Sequence, residues 1–109
     1  MSNQTVNRVS VKNVSYLETS RGVAYTAPIY LDEQEIGLIE NRGDGGATTI
    51  FIEKDYREEF NQCMHEYFKE NPVDAKGMEE EVFADVLLDI YEFGRVLTEE
   101  EKIAFILAS

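Results

Sequence analysis

Halfway along this chain the spacing of its apolar residues changes, and that change limits the fold more than any other feature. Before residue 53, Val23, Tyr25, Ala27, Ile29 and Leu31 fall on one face, with Ala24, Thr26, Pro28 and Tyr30 on the other. A period of two is that of a β-strand. Beyond it, Tyr56, Phe60, Cys63, Met64, Tyr67 and Phe68 recur every three or four residues, as do Val82, Phe83, Val86, Leu87, Ile90 and Tyr91. That is the stripe of an amphipathic helix. Strands followed by helices, with no alternation between them, define an α+β chain.

The first half divides into four strand rows. Val9-Ser10-Val11 and Val14-Ser15-Tyr16 alternate in opposite phase, so a bulge or bend is expected at Lys12-Asn13. Glu18–Gly22 is a turn, and the long strand over residues 23–31 follows it. Pro28 has no N–H for a ladder, which implies a free edge or a local break beside it. Asp32-Glu33-Gln34-Glu35 reads as a hairpin loop, Ile36–Glu40 as the third row and Thr48–Ile52 as the fourth. Short loops between successive rows imply an antiparallel meander.

In the second half the spacing predicts a helix over 54–71, ended at Asn71-Pro72 because a residue before proline disfavours the helical region. A second helix runs from Met78 to a stop at Gly94. Glu79, Glu80 and Glu81 fill its first turn, where carboxylates meet the positive end of the helix dipole. Thr98 and Glu101 form a capping box for a short third helix, with Ile103, Ile106 and Leu107 expected to face inward. The expected architecture is one α+β domain over 1–109: a four-stranded antiparallel meander with two long helices and one short one packed on one face.

Charge follows the same division. The 109-residue chain has a formal net charge of −12. Residues 1–50 hold six acids against four bases, whereas residues 51–109 hold sixteen against six. Such a field repels nucleic acid, whose capture depends on cations that neutralise phosphates, so direct DNA or RNA binding is not expected. It would draw in a protein with a basic surface, or it would simply keep a small protein soluble. No apolar run approaches the roughly 18–20 residues that span a bilayer. The opening Met1-Ser2-Asn3-Gln4-Thr5 is polar, without a basic or apolar leader pattern. One cysteine cannot form an internal disulfide, and a cytoplasmic location is the expectation.

Little in the chain points to catalysis. Cys63 lies on the apolar stripe of its helix and His65 on the polar face, so they diverge and make a poor nucleophile–base pair. One cysteine and one histidine do not make a zinc site of the usual kind, and the 32–35 loop lacks the spaced oxygens of a calcium loop. No catalytic residue, metal or cofactor is expected.

Two surfaces remain as candidates. In Asn41-Arg42-Gly43-Asp44-Gly45-Gly46-Ala47-Thr48 the glycines could aim backbone N–H groups at a small anion or nucleotide, with Arg42 and Thr48 as further donors. The segment leads into a strand, unlike the phosphate loops that lead into a helix, and Asp44 in its middle opposes an anion. A tight hairpin turn is the other reading. The second surface is the acidic side of the helices: Glu79, Glu80, Glu81, Asp85, Asp89 and Glu92 on one, with Glu58, Glu59 and Glu66 on the other. A solvated face is the ordinary reading, but few lysines stand at i±4 to offset the repulsion.

The run of strand, Ile29-Tyr30-Leu31-Asp32 hairpin, Ile36-Gly37 strand and Asn41–Gly46 turn resembles small acidic phage and prophage accessory proteins of the anti-defence type, over residues 23–52. The resemblance implies a non-enzymatic, stoichiometric inhibitor acting in the host cytoplasm on a host defence protein of the CRISPR-effector kind. Its acidic helical face would then mimic nucleic-acid charge. It is also similar in layout to sponges of the anti-Thoeris type, which implies a cyclic nucleotide held at the glycine-rich turn. A third expectation is a structural homodimer or higher oligomer, joined through aromatic side chains of the sheet.

Overall fold

A computed structural model describes residues 8–108, so the polar segment Met1–Thr5 lies outside the described residues. Five strands form one antiparallel sheet: β1 (Val9–Val11), β2 (Ser15–Thr19), β3 (Gly22–Leu31), β4 (Gln34–Asn41) and β5 (Thr49–Ile52). A 3-10 turn at Lys54–Tyr56 leads into α1 (Arg57–Glu70), followed by α2 (Glu79–Phe93) and α3 (Glu99–Ala108). The chain is α+β as expected, with one more strand because the first row is cut in two.

The cut has a physical cause on each side. β1 pairs with residues 29–31 of β3 and β2 with residues 22–26, so both lie along the same neighbour. The Lys12 N–H reaches the Pro28 carbonyl at 3.2 Å. Pro28 therefore turns its donorless nitrogen towards this row, where a continuous ladder would need an N–H. Between Lys12 and Ser15 the chain carries one residue more than β3 does, and Asn13 absorbs it at φ 56°. Asparagine tolerates that left-handed geometry better than most side chains. The extra residue inverts the alternation, and Pro28 sits at the expected break.

The hairpin loops are tighter than the sequence suggests. Asp32, at φ 56°, and Glu33 make a two-residue turn, which leaves Gln34 and Glu35 inside β4. A register shift beside Ile29 and Tyr30 then carries Ile36 into the core next to Gly37.

The helices cover one face of the sheet, where Val9, Val11, Ala27, Ile29, Leu31, Ile36, Ile39 and Ile52 are buried. From the helical side come Phe60, Cys63, Met64 and Tyr67 of α1 and Phe83, Ala84, Val86 and Leu87 of α2. Phe83 is fully buried at the centre of an aromatic cluster, with ring centroids 5.6 Å from Phe60, 5.8 Å from Tyr67 and 6.0 Å from Phe68. Edge-to-face and tilted pairs of this kind add to the burial of the rings themselves. The helix ends follow the sequence. Asn71 closes α1, its side-chain amide donating to the Tyr67 carbonyl at 3.0 Å, and Gly94 closes α2 at φ 77°.

The third helix corrects the reading of its apolar residues. Ile103 and Leu107 are exposed, not inward, while Phe105 packs on Phe93 at 5.2 Å between centroids. The side chain of Ile106 lies outside the described residues. A helix at the rim of the core can turn only one narrow side towards α2, and that side holds Glu101, Lys102 and Phe105.

Phe83→Ala removes a full ring from a fully buried site. It should cost about 3–5 kcal/mol, a large share of the roughly 5–15 kcal/mol that holds a small domain folded. Urea unfolding followed by circular dichroism would show the midpoint fall at an unchanged slope.

Candidate functional site

The glycine-rich turn is built chiefly by its own side chains. The Asn41 side chain accepts the Gly43 N–H at 2.8 Å and donates to the Thr48 hydroxyl at 3.1 Å. Asp44 accepts the Gly46 N–H at 2.9 Å. Such turns are the ordinary use of asparagine and aspartate in loops. Gly43, at φ 77°, lies so close to β3 that a β-carbon there would come within 2.6 Å of the Ala24 nitrogen. Gly22 is pressed against the Gly43 carbonyl in the same way. These glycines allow two loops to touch. At Gly43 and Gly46 the donors that an anion would use are already bonded, while Gly45 stands open at φ 85°. Arg42 is exposed and lines a depression of about 150 Å³ with Ser15, Leu17, Thr26 and Glu40.

The acidic helical face separates into engaged and outward carboxylates. Glu80 is paired with Arg57 and joins the start of α2 to α1. Glu59 lies 3.4 Å from Arg8, which also holds Asp32 at 2.8 Å. Glu92 accepts the phenolic hydrogen of Tyr16 from β2. Burial, and after it that carboxylate, pushes the Tyr16 phenol up. Asp89 corrects the sequence reading most clearly: it is buried. Its carboxylate accepts the Leu97 N–H at 3.3 Å and lies 3.4 Å from the Lys102 ammonium. It ties α2 to the loop before α3 and is no part of an outer face. Asp85 keeps contact with solvent, yet the protein packed around it pushes its carboxyl up, against the pull of Lys102.

Glu79 and Glu81 stand apart from these. They make no ion pair among the described residues, and with Glu80 they rim an open groove of about 730 Å³ between α1 and the start of α2. Met64, Phe68 and Val73 give the groove its apolar floor, and Asn61, His65 and Lys69 form the opposite wall. Glu58 and Glu66 continue the acidic surface along α1, where Glu66 accepts a hydrogen bond from Gln62 at 3.3 Å. The sequence marked the carboxylates but not the floor. Met64 and Phe68 belong to the apolar stripe of α1, and only the fold brings Val73 beside them at the groove. His65 is exposed along this groove, while Cys63 is buried facing Arg8 and Glu59, so the two diverge as expected. Burial pushes the Cys63 thiol up, away from the thiolate a nucleophile needs.

Among the described residues no group of three or more histidine, cysteine, aspartate or glutamate side chains is placed to hold a metal ion. No described helix is long and apolar enough to cross a membrane. No protein-family model, curated protein or solved structure matches this chain.

The capping box of α3 supplies a titration that can be checked. Glu101 accepts from Arg95 at 2.8 Å and from the Thr98 N–H at 2.9 Å, and its own N–H donates to the Thr98 hydroxyl at 3.1 Å. The Arg95 side chain first, and then the Thr98 N–H, hold the carboxyl at about 2 against an ordinary 4.5. A depressed folded value stabilises the ionised folded form. The support to α3 is complete above pH 4.5 and is lost as pH falls towards 2. Carbon NMR should place the Glu101 midpoint near 2, and Arg95→Ala should move it up towards the ordinary range. A wild-type midpoint near 4.5 would contradict the geometry.

Proposed function

We propose that this chain is a non-enzymatic, stoichiometric binding protein that docks its acidic helical face on a basic surface of another protein. We further propose that the partner is a host defence protein whose basic surface ordinarily holds nucleic acid, and that the chain acts as a phage-type inhibitor in the host cytoplasm. The observation that carries the proposal is the groove between α1 and α2. Glu79 and Glu81 flank an apolar floor without a cation bonded to them among the described residues. A merely solubilising face needs no apolar floor. A floor bordered by carboxylates suits side chains that are aliphatic along their stems and cationic at their ends, as lysine and arginine are. Opposite charge would also speed the encounter and make it sensitive to salt.

Reversal of Glu58, Glu79 and Glu81 to lysine should abolish capture of the partner from a bacterial lysate while leaving the circular dichroism spectrum intact. Glu80 and Asp89 are left in place because they hold elements together. Capture by the unchanged protein should fall as salt rises from about 0.05 to 0.5 M, because screening shortens the reach of exposed charges. It should also fall when duplex DNA is added as competitor. Capture that ignores both charge reversal and salt would overturn the docking face. Capture that responds to both but not to DNA would retain the face and remove the mimicry.

A further inference from the structure

β2 forms an outer edge of the sheet, and no strand pairs with its far side among the described residues. Pro28 shows which backbone groups lie along that edge. Its carbonyl accepts the Lys12 N–H and so faces the row of β1 and β2. Successive residues of a strand turn their backbone groups to opposite sides, so Thr26 and Ala24 face that row as well. Their partners Ser15 and Leu17 therefore direct their bonds to β3, and Tyr16 and Glu18 hold their N–H and C=O groups outward.

Edges of this kind are ordinarily blunted by lysine, proline or a bulge. Ser15–Thr19 contains no lysine and no proline, and the irregularity at Asn13 lies before it. All of its residues are exposed, Leu17 at 68% and Tyr16 at 51%. The two take opposite faces: Tyr16 reaches Glu92 of α2 on the helix side, and Leu17 lies on the open face. Glu18 shares the helix side with Tyr16 and has no ion-pair partner among the described residues.

We propose that this edge accepts an extended segment of another protein as an added strand, one in which lysine or arginine alternates with apolar residues. Charge selects this occupant. A strand laid along β2 turns one row of side chains towards Glu18, Glu92 and the Tyr16 ring, and the other towards Leu17. Cations suit the first row, where they meet carboxylates and an aromatic face; apolar side chains suit the second. A second copy fits worse. Paired across a two-fold axis with both helical layers on one side, it would line up Glu18 and Glu92 of each chain along a single seam. The one charge on β2 thus opposes self-pairing without closing the edge to a basic strand. The site stands at the far end of α2 from the groove beside Glu79 and does not depend on it.

The probe is the peptide acetyl-Lys-Val-Lys-Val-Lys-Val-Lys-amide, with a control in which the same residues form a lysine block and a valine block. Hydrogen exchange followed by NMR should show the Tyr16 and Glu18 amides slowed about tenfold or more by the alternating peptide and not by the block peptide. Glu18→Pro removes an outward N–H and no ladder bond, so the dichroism spectrum should stay while the alternating peptide binds about tenfold more weakly. Glu18→Gln keeps that N–H and should weaken binding less than the proline does. Reversal of Glu79 and Glu81 to lysine should leave the protection of Tyr16 and Glu18 in place, which separates this edge from the groove. Exchange in the unaltered protein decides the question even where the proline variant unfolds. No protection at millimolar peptide, or equal protection by the block peptide, overturns the proposal. So does protection that grows with protein concentration alone, since a second copy would then hold the edge.

Discussion

The burial of Phe83 against Phe60, Tyr67 and Phe68 is the contact on which the arrangement of the helical half depends. Neither helix could bury its stripe alone, and the sheet offers a single apolar face for both. Phe83 enters the layer between them and sets how far apart α1 and α2 stand. The consequence reaches the surface one turn away. Glu79 precedes Phe83 by four residues, so the ring that fixes the core also fixes where the acidic first turn meets the polar edge of α1. The groove is the outer end of the same junction. Its floor, Phe68, is itself a member of the aromatic cluster.

Much of the sheet was legible because each irregularity left two signs in the sequence. The opposite phases of Val9–Val11 and Val14–Tyr16 required an extra residue, and Pro28 required a place where no N–H is asked for. The structure joins the two requirements at one point, with Lys12 bonded to the Pro28 carbonyl and Asn13 in the left-handed region. The helix ends were legible for a similar reason: Pro72, Gly94 and the Thr98–Glu101 pair each act through neighbours close in sequence. The fate of α3 was not. Its apolar residues announce burial, but which of them meet α2 depends on the angle at which the chain leaves Gly94.

The candidate surface was legible in sign and not in membership. Helical spacing sets Asp85, Asp89 and Glu92 on one side of α2, and nothing in that spacing separates them. The separation comes from partners distant in sequence: Lys102 and the Leu97 N–H for Asp89, Tyr16 for Glu92. The glycine-rich turn presented the opposite case. Its residues allow an anion cradle or a hairpin, and long-range packing favours the hairpin, because Gly43 must lie against β3 and Gly22 against Gly43.

The cations explain why the remaining acids matter. Arg8 joins the start of the sheet to the β3–β4 turn and to α1; Arg57 joins α1 to α2; Arg95 and Lys102 bind α3 to what precedes it. Exposed pairs of this kind contribute little energy each, about 0–1 kcal/mol, but each stands where two neighbouring segments of the fold meet. These bases are thus committed to the fold, and the carboxylates they meet are committed with them. The first turn of α2 can hold three glutamates with only one of them paired, because the helix dipole offsets part of their repulsion there. Glu79 and Glu81 are left without an ion pair among the described residues at the rim of the groove, and the proposed docking of a basic side chain there would relieve what the dipole does not.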